Sequence, residues 1–393
     1  MVISQKIKAA IVGSSWIRRM FEEGAELKAR LGADQVFDFT LGNPDLEPPP
    51  AFKMALQEAA SDPQPGLHRY MPNAGLLATR QSLARYLEEL HGLPFTADDL
   101  IMTCGAAGGI NVILKALLDP GDEVIILAPF FPEYLYYIDN HAGVCRVVET
   151  NDHFQLALEL LAAALSARTR AVLINSPNNP TGQIYSAASL RGLGQLLAEQ
   201  SQRYGRPIYL INDEPYRRLV YEGLTVPSVF AAYPHTLLAT SFSKDLCLPG
   251  ERIGYVAVSP QAQGRHELVN AMILANRILG FVNAPALMQR LVGRLTHEAV
   301  DLTPYLERRE RFCQIMADAG YDLVKPQGAF YLFPRSPLTD DVAFIQELKR
   351  ENILAVPGRG FGRSGYFRLA FCVPQSVIER AAAGFARARA RVG

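Results

Sequence analysis

The chain has 393 residues, and its length, composition and charge already limit what it can be. This length allows two or three domains, or one large domain with a smaller partner. Hydrophobic residues make up 49% of the chain, which is ample for a large core. Lys plus Arg and Asp plus Glu both number 39, so the formal net charge is zero. A near-neutral surface argues against nucleic acid or an anionic membrane as the main partner, and it makes self-association easier.

The five cysteines are widely spaced, with no CxxC pair. This usage is typical of reduced thiols in the cytosol rather than of a disulfide framework or a zinc site, and we expect no metal. The first apolar stretch is too short and too broken for a signal peptide. No apolar run approaches the roughly 18 residues that a membrane helix needs. We therefore expect a cytoplasmic protein without membrane contact.

Strands and helices alternate in the predicted elements of the middle of the chain. A helical run at 110–118 comes first, and the clearest helix lies at 186–204, where leucines recur at helical spacing. Short apolar runs rich in β-forming residues lie at 123–128, 171–175, 208–211, 237–240 and 254–259. Strands buried on both faces and joined by helices predict a mostly parallel sheet covered by helices on both sides.

The pattern changes after the last of these strands. A long helical stretch follows, with a predicted bend around 283–285, and beyond about 290 there are longer helices and three strand-like runs, at 330–333, 353–356 and 367–371. These elements predict a second, smaller α+β domain, with which the first 45 residues are expected to pack. The expected fold class is α/β, with a mostly parallel seven-stranded sheet sandwiched by helices in a large domain, 46–285. The small α+β domain comprises 1–45 plus 286–393.

Polar side chains follow three of the predicted strands, at the sheet edge where α/β proteins bind ligands. The run at 171–175 continues into Asn-Ser-Pro-Asn-Asn-Pro-Thr-Gly, ending at residue 182. The next strand ends at Asp213 and Tyr216, and the one after it at Ser241-Phe-Ser-Lys244. Upstream, the small-residue turn at 103–109 opens a helix, so its backbone N–H groups could cradle a phosphate, although such turns more often reflect close packing.

These motifs together resemble the class I/II aminotransferases, the fold type I family of pyridoxal phosphate enzymes that includes aspartate aminotransferase. The resemblance runs in order from Leu-Gly-Asn-Pro-Asp at 41–45 to Phe-Arg-Leu-Ala-Phe at 367–371. The segment at 241–254, Ser-Phe-Ser-Lys-Asp-Leu-Cys-Leu-Pro-Gly-Glu-Arg-Ile-Gly, is similar to the lysine signature of the family. The resemblance implies an aminotransferase that uses pyridoxal 5'-phosphate and exchanges an amino group between an L-amino acid and a 2-oxo acid by a ping-pong mechanism.

The resemblance also implies roles for the residues that carry the chemistry. Lys244 is expected to form a Schiff base with the cofactor and then to shuttle the proton, because a buried amine near other cations loses its proton readily. Asp213 is expected to pair with the pyridine nitrogen and keep it protonated. Tyr216 and Asn179 are expected to hydrogen-bond the phenolic oxygen of the ring. Phe131 is expected to stack on the ring, although an aromatic core residue is a strong alternative.

The phosphate and the substrate are expected to bind at separate anchors. The expected phosphate ligands are Gly105, Ala106 and Ala107 through their backbone N–H groups, the hydroxyls of Ser241 and Ser243, and the guanidinium of Arg252. Tyr70 corresponds to a tyrosine that in relatives reaches the phosphate of the other subunit, which implies a homodimer with shared active sites. Arg368, Gly42 and Asn179 are expected to bind the substrate α-carboxylate.

Several alternatives stay open at this stage. A lyase, racemase or decarboxylase on the same fold would carry the same motifs. A ligand-sensing module is a further alternative, but the chain has no room for an added DNA-binding domain. Arg18 and Arg277 are candidates for contact with a distal substrate carboxylate, and both could equally be solvated surface charges. Trp16 and Ile17 could line an apolar substrate pocket instead.

Overall fold

The computed structural model describes the backbone of residues 2–12 and 16–393, and the side chains of those residues except 9, 12, 16–19 and 21. The α-helices of this part are α1 (Gln5–Val12), α2 (Trp16–Leu31), α3 (Pro50–Ala60), α4 (Leu77–His91), α5 (Gly105–Leu117), α6 (Glu133–Asn140), α7 (Leu158–Ala164), α8 (Ala187–Tyr204), α9 (Arg265–Ile278), α10 (Ala286–Val292), α11 (Thr303–Asp318), α12 (Asp341–Lys349) and α13 (Gln375–Ala390). The strands are β1 (Phe37–Asp38), β2 (Leu100–Thr103), β3 (Glu123–Ala128), β4 (Val144–Glu149), β5 (Thr169–Asn175), β6 (Tyr209–Asp213), β7 (Thr236–Ser241), β8 (Gly254–Val258), β9 (Tyr331–Leu332), β10 (Ile353–Leu354), β11 (Val356–Pro357) and β12 (Phe367–Ala370).

A seven-stranded sheet forms the centre of the protein, in the order β2-β8-β7-β6-β5-β3-β4. Five neighbouring strands run parallel to one another, namely β7, β6, β5, β3 and β4. Strand β8 is antiparallel to both of its neighbours, β7 and β2. The predicted mostly parallel seven-stranded sheet is confirmed. Two of its strands, β2 and β4, are absent from the predicted runs. Both lie at sheet edges, where β2 is short and β4 is largely exposed, so neither has the long apolar run of a central strand.

Both faces of the central sheet are buried under helices. Along β3, Ile125 and Leu127 pack in one apolar cluster with residues of α4 and α8. The alternate residues, Val124 and Ile126, point to the other face and pack with residues of α5 and α9. Successive side chains of a strand point to opposite faces, so a strand covered on both sides must be apolar throughout. This arrangement leaves the carboxyl ends of the strands as the edge at which polar groups can collect.

A second core lies in the remainder of the chain. The strands β11, β12 and β9 form a three-stranded antiparallel sheet, and their apolar residues pack with those of α11, α12 and α13. The short strand β1 pairs in parallel with β10, which joins the N-terminal segment to this core. Helix α1, by contrast, contacts the helices around the large sheet, because Lys6 Nζ lies 2.6 Å from a carboxylate oxygen of Asp139 in α6. The predicted boundaries at 45 and 285 stay a prediction.

The helical stretch after the large sheet is divided in two. Helix α9 ends at Ile278 and α10 begins at Ala286, after Pro285, so the predicted bend falls in the connection between them. Pro285 stands at the N-cap position of α10, and because proline lacks a backbone N–H it cannot continue a helix from the preceding residues. In the part of the chain that the structure describes, no helix is long and apolar enough to span a membrane.

Candidate active site

A cavity of about 360 Å³ opens at the carboxyl ends of the parallel strands. Strands β5, β6 and β7 are neighbours in the sheet, so the residues that end them are brought side by side. The Asn175 side chain donates a hydrogen bond to the Asp213 carbonyl (2.8 Å) and accepts one from the Asn179 backbone N–H (2.7 Å). The predicted site residues that line this cavity are Gly42, Ala106, Ala107, Phe131, Asn179, Asp213, Tyr216, Ser241, Ser243, Lys244, Arg252 and Arg368.

Lys244 lies in the turn after β7, with its side chain inside the cavity. Burial lowers the pKa of its amine from 10.5 to about 8, and the positive charges of Arg368 and Arg252 act in the same direction. The amine donates a hydrogen bond to the Gly42 carbonyl at 3.0 Å. A Cβ at residue 42 would overlap the Tyr331 hydroxyl, so glycine lets the Tyr331 side chain pack against this backbone. The site therefore holds an amine that is partly neutral near pH 8.

Asp213 ends strand β6 and is buried. Its Oδ2 accepts a hydrogen bond of 2.5 Å from the Tyr134 hydroxyl, whereas its Oδ1 is buried and has no hydrogen-bond partner among the described residues. Burial raises the pKa of this carboxyl from 3.8 to about 7, and the Tyr134 hydrogen bond opposes that rise. A buried acceptor without a partner is costly, so Oδ1 is a position where a ligand N–H would be stabilised.

The start of helix α5 forms a cradle beside Arg252. The first N–H groups of a helix have no intrahelical partner, and they lie at the positive end of its dipole. Gly105 begins the helix with φ +72°, and a Cβ there would lie 2.9 Å from Arg252 Nη2. Ser241 and Ser243 line the same cavity. Backbone N–H groups, two hydroxyls and a guanidinium together suit an anion such as phosphate.

Arg368 is buried in β12, a strand of the second core, and its side chain reaches the cavity. Its Nη1 donates to Asn179 Oδ1 (2.9 Å) and its Nη2 donates to the Thr40 carbonyl (2.5 Å). Its Nε is buried and has no partner among the described residues. The guanidinium also lies 4.6 Å from the centre of the Tyr331 ring. A buried guanidinium without a full set of partners is poised to bind a carboxylate.

Tyr216 and Phe131 complete the walls of the cavity. The Tyr216 hydroxyl lies 3.0 Å from the Tyr331 hydroxyl. Burial raises the pKa of Tyr216 well above 10, so it keeps its proton at neutral pH and can donate a hydrogen bond. The Phe131 ring is in edge contact with Tyr134, with ring centres 5.5 Å apart, and it is half-buried at the cavity wall.

Two predicted or candidate residues, Tyr70 and Arg277, lie apart from this cluster. Tyr70 is 92% exposed and does not line the cavity of its own chain. Arg277 is exposed near the end of α9 and is also absent from the cavity wall. The side chains of Arg18, Trp16 and Ile17 lie outside the described residues. Within the described ranges, no group of three or more His, Cys, Asp or Glu could hold a metal ion.

The structure also adds residues that the sequence reasoning missed. Glu133 lines the cavity and Tyr134 supports it, and both closely follow Phe131, which was predicted to stack on the ring. Tyr331 contacts Arg368 and Tyr216, and it lies in the strand-like run predicted at 330–333. Their positions adjacent to recognised motifs were the available signal. Their roles depend on where their side chains point, which the sequence does not reveal.

The residues present fit pyridoxal phosphate on structural grounds. The unpartnered Asp213 Oδ1 can accept a hydrogen bond from a protonated ring nitrogen. The Gly105 cradle leaves room for phosphate where a side chain would not fit. Lys244 supplies an amine of lowered pKa to an aldehyde.

Comparison with known proteins agrees with this geometry. The family model for aminotransferase class I and II matches residues 34–385. The chain is 32% identical over 374 residues to the aspartate/prephenate aminotransferase of Thermus thermophilus, covering 92% of this chain and 93% of that one. It is 31% identical over 370 residues to the aspartate aminotransferase of Thermotoga maritima, covering 93% of each.

Solved structures give the same result. An amino transferase from Eubacterium rectale superposes with a TM-score of 0.97 at 37% identity, covering 100% of both chains. The aspartate aminotransferase from Thermus thermophilus with maleate superposes with a TM-score of 0.86 at 28% identity, covering 99% of this chain and 100% of that one. The chain therefore belongs to the aminotransferase class I and II family and is an aminotransferase that uses pyridoxal 5'-phosphate.

Proposed function

We propose that this cavity exchanges an amino group between an L-amino acid and a 2-oxo acid by a ping-pong mechanism, with Lys244 as the residue that binds the cofactor covalently. One observation carries the proposal: an amine of lowered pKa lines the same cavity as a carboxylate oxygen and a guanidinium N–H that have no partner among the described residues. When bound, pyridoxal phosphate supplies an aldehyde that an amine can capture and a ring that withdraws electrons from the substrate α-carbon.

The substrate is held by the second core. Arg368 binds the α-carboxylate through the N–H groups that its protein partners leave free. Asn179 and the Thr40 carbonyl fix the plane of the guanidinium, which orients the α-carbon relative to Lys244. The Gly42 carbonyl holds the Lys244 amine in the cavity that Arg368 also lines. Binding and proton transfer thus use groups from both cores of the protein.

Proton transfer falls to Lys244. The neutral amine of Lys244 accepts the proton from the substrate α-carbon. The resulting ammonium would then donate a proton to carbon C4′ of the cofactor. A pKa near 8 lets one residue do both at neutral to slightly basic pH. Asp213 stays ionised when it faces a cation and thereby holds a proton on the ring nitrogen. The Tyr134 hydroxyl donates to the other Asp213 oxygen and fixes the orientation of the carboxylate.

We also propose a cytoplasmic homodimer in which Tyr70 reaches the phosphate site of the partner subunit. Tyr70 does not line the cavity of its own chain, and its side chain is 92% exposed, so it is free to contact a partner subunit. Its loop borders an apolar groove of about 800 Å³ between α3, α4 and α10, lined by Leu67, Leu76, Leu77 and Leu291 among others. An apolar surface of this kind is typical of a protein–protein contact, and a second copy is the simplest partner. The cytoplasm is a reducing compartment, and the five free thiols of the chain suit a protein of that compartment.

Absorption spectroscopy tests the cofactor assignment. The wild type should absorb visible light after incubation with pyridoxal phosphate, and Lys244→Ala should lose the absorption of the covalently bound form. Lys115→Ala, which removes an exposed lysine from the last turn of α5, is the matched control and should keep it. A wild type that binds no pyridoxal phosphate would refute the assignment.

A donor panel tests the reaction. Amino acids, aspartate included because of the names of the relatives, should be assayed against 2-oxoglutarate, pyruvate and oxaloacetate. We expect keto-acid exchange with parallel lines in double-reciprocal plots. Release of ammonia or carbon dioxide without exchange would favour a lyase or decarboxylase instead.

A further inference from the structure

Glu133 places a carboxylate in the wall of the active-site cavity, where the mechanism gives it no task. It is the first residue of α6, two positions after Phe131. Its Oε2 is buried and has no hydrogen-bond partner among the described residues. Burial raises the pKa of this carboxyl, whereas a hydrogen bond from its own backbone N–H and the positive charge of Arg368 lower it. The carboxylate therefore lies within the electrostatic reach of the residue that binds the substrate.

Helix stability explains only part of this placement. An acidic residue in the first turn interacts favourably with the helix dipole, and the backbone hydrogen bond accounts for one carboxylate contact. The second oxygen has no hydrogen-bond partner in the helix or elsewhere among the described residues. It is buried next to the cavity, and a buried acceptor without a partner is expensive unless something that binds there donates to it. The cavity is the space from which such a donor can come.

The positively charged residues of the cavity already have assigned roles. Among its described lining residues, three carry positive charge: Lys244, Arg252 and Arg368. They serve the covalent link, the phosphate and the substrate α-carboxylate respectively. None of the described lining residues is left to neutralise a second, distal carboxylate, and Glu133 adds a negative charge to the same wall.

We infer that Glu133 is a specificity-determining residue for the amino donor, disfavouring acidic side chains and favouring a side chain that offers an N–H or O–H donor. The inference rests on the proposed transamination and concerns only the choice of donor. A carboxylate on the donor would meet a like charge in a partly desolvated space. An amide, hydroxyl or ammonium would instead pair with the buried Oε2. The preferred donor would then differ from the aspartate named for several relatives.

A half-reaction assay tests this inference and requires no 2-oxo acid. The holoenzyme at pH 8 is mixed with aspartate or asparagine, and the change in cofactor absorption gives kcat/KM for each. Glu133→Gln keeps the shape and an acceptor oxygen but removes the charge. Because a like charge next to the aspartate carboxylate disfavours its binding, the preference for asparagine over aspartate should fall by roughly 10- to 100-fold in this variant. A fall smaller than about tenfold overturns the inference.

The matched control is Glu159→Gln, which removes an exposed acid from the first turn of α7 and should leave the ratio unchanged. A second measurement needs no variant and decides the matter if Glu133→Gln does not fold. Cofactor absorption is titrated in the wild type with butyrate and with succinate. Butyrate should bind more tightly, and tighter binding of succinate overturns the inference. A wild type that reacts with no amino acid would refute the transamination itself, so the two failures are distinguishable.

Discussion

Replacement of Asp213 by Asn should stabilise the protein when no cofactor is bound. Burial raises the pKa of this carboxyl from 3.8 to about 7. The difference of about three pKa units corresponds to about 4 kcal/mol between the protonated and ionised forms, at 1.36 kcal/mol per unit. Asn has the shape of Asp and no charge, and its carbonyl oxygen can still accept the hydrogen bond from Tyr134.

The sign of the effect follows from proton linkage. The folded protein binds the Asp213 proton more tightly than the unfolded chain, because its pKa is raised. Between about pH 4 and pH 7 the unfolded chain loses this proton first, so the free energy of unfolding of the wild type falls as pH rises. The variant lacks this contribution. It should match the wild type near pH 4 and exceed it by roughly 2–4 kcal/mol at pH 8.

Urea unfolding of the cofactor-free proteins, at one protein concentration and a series of pH values, measures this difference. Asp318→Asn removes an exposed carboxylate on α11 and should show no such pH dependence, which makes it the control. With pyridoxal phosphate bound, the advantage of the variant should shrink or reverse, because the ligand pairs with the charge. A stability difference that is the same at pH 4 and pH 8 would show that burial of the Asp213 charge has been misjudged.

The remaining predictions concern the anchors of the cofactor and substrate. Gly105→Ala should weaken cofactor affinity by about tenfold in equilibrium dialysis, because its Cβ would crowd Arg252, and unchanged affinity would contradict the cradle. Arg368→Lys should raise the donor KM by roughly 10- to 100-fold with a smaller change in kcat, because an ammonium cannot replace a bidentate guanidinium. The rate of cofactor capture by apoprotein should rise with pH around 8, the pKa of Lys244, and a midpoint near 10.5 would contradict its burial. Tyr70→Phe should lower cofactor affinity although Tyr70 is exposed in one chain, and a variant with wild-type affinity would argue against sharing of sites.

Much of the fold could be predicted because central strands have a strong local pattern. The runs at 123–128 and 254–259 coincide with β3 and β8 to within one residue at either end. The edge strands β2 and β4 escaped prediction, since an edge strand is short or half-exposed and has no continuous apolar run. The site residues were predicted from the resemblance of a few motifs to a known family, because such a resemblance assigns a chemical role to an individual residue.

For the site, the sequence by itself determined which residue types stand at the ends of which strands, and hence that Lys244, Asp213 and Arg368 were candidates. These features are local, since a strand and the turn after it are adjacent in the chain. The tertiary structure decided what is not local: the Tyr134 hydrogen bond that orients Asp213, the Gly42 carbonyl that holds Lys244, and the direction of the Glu133 carboxylate. Burial and pKa depend on neighbours that are remote in sequence, so only the folded chain sets the protonation of its amine and carboxylates.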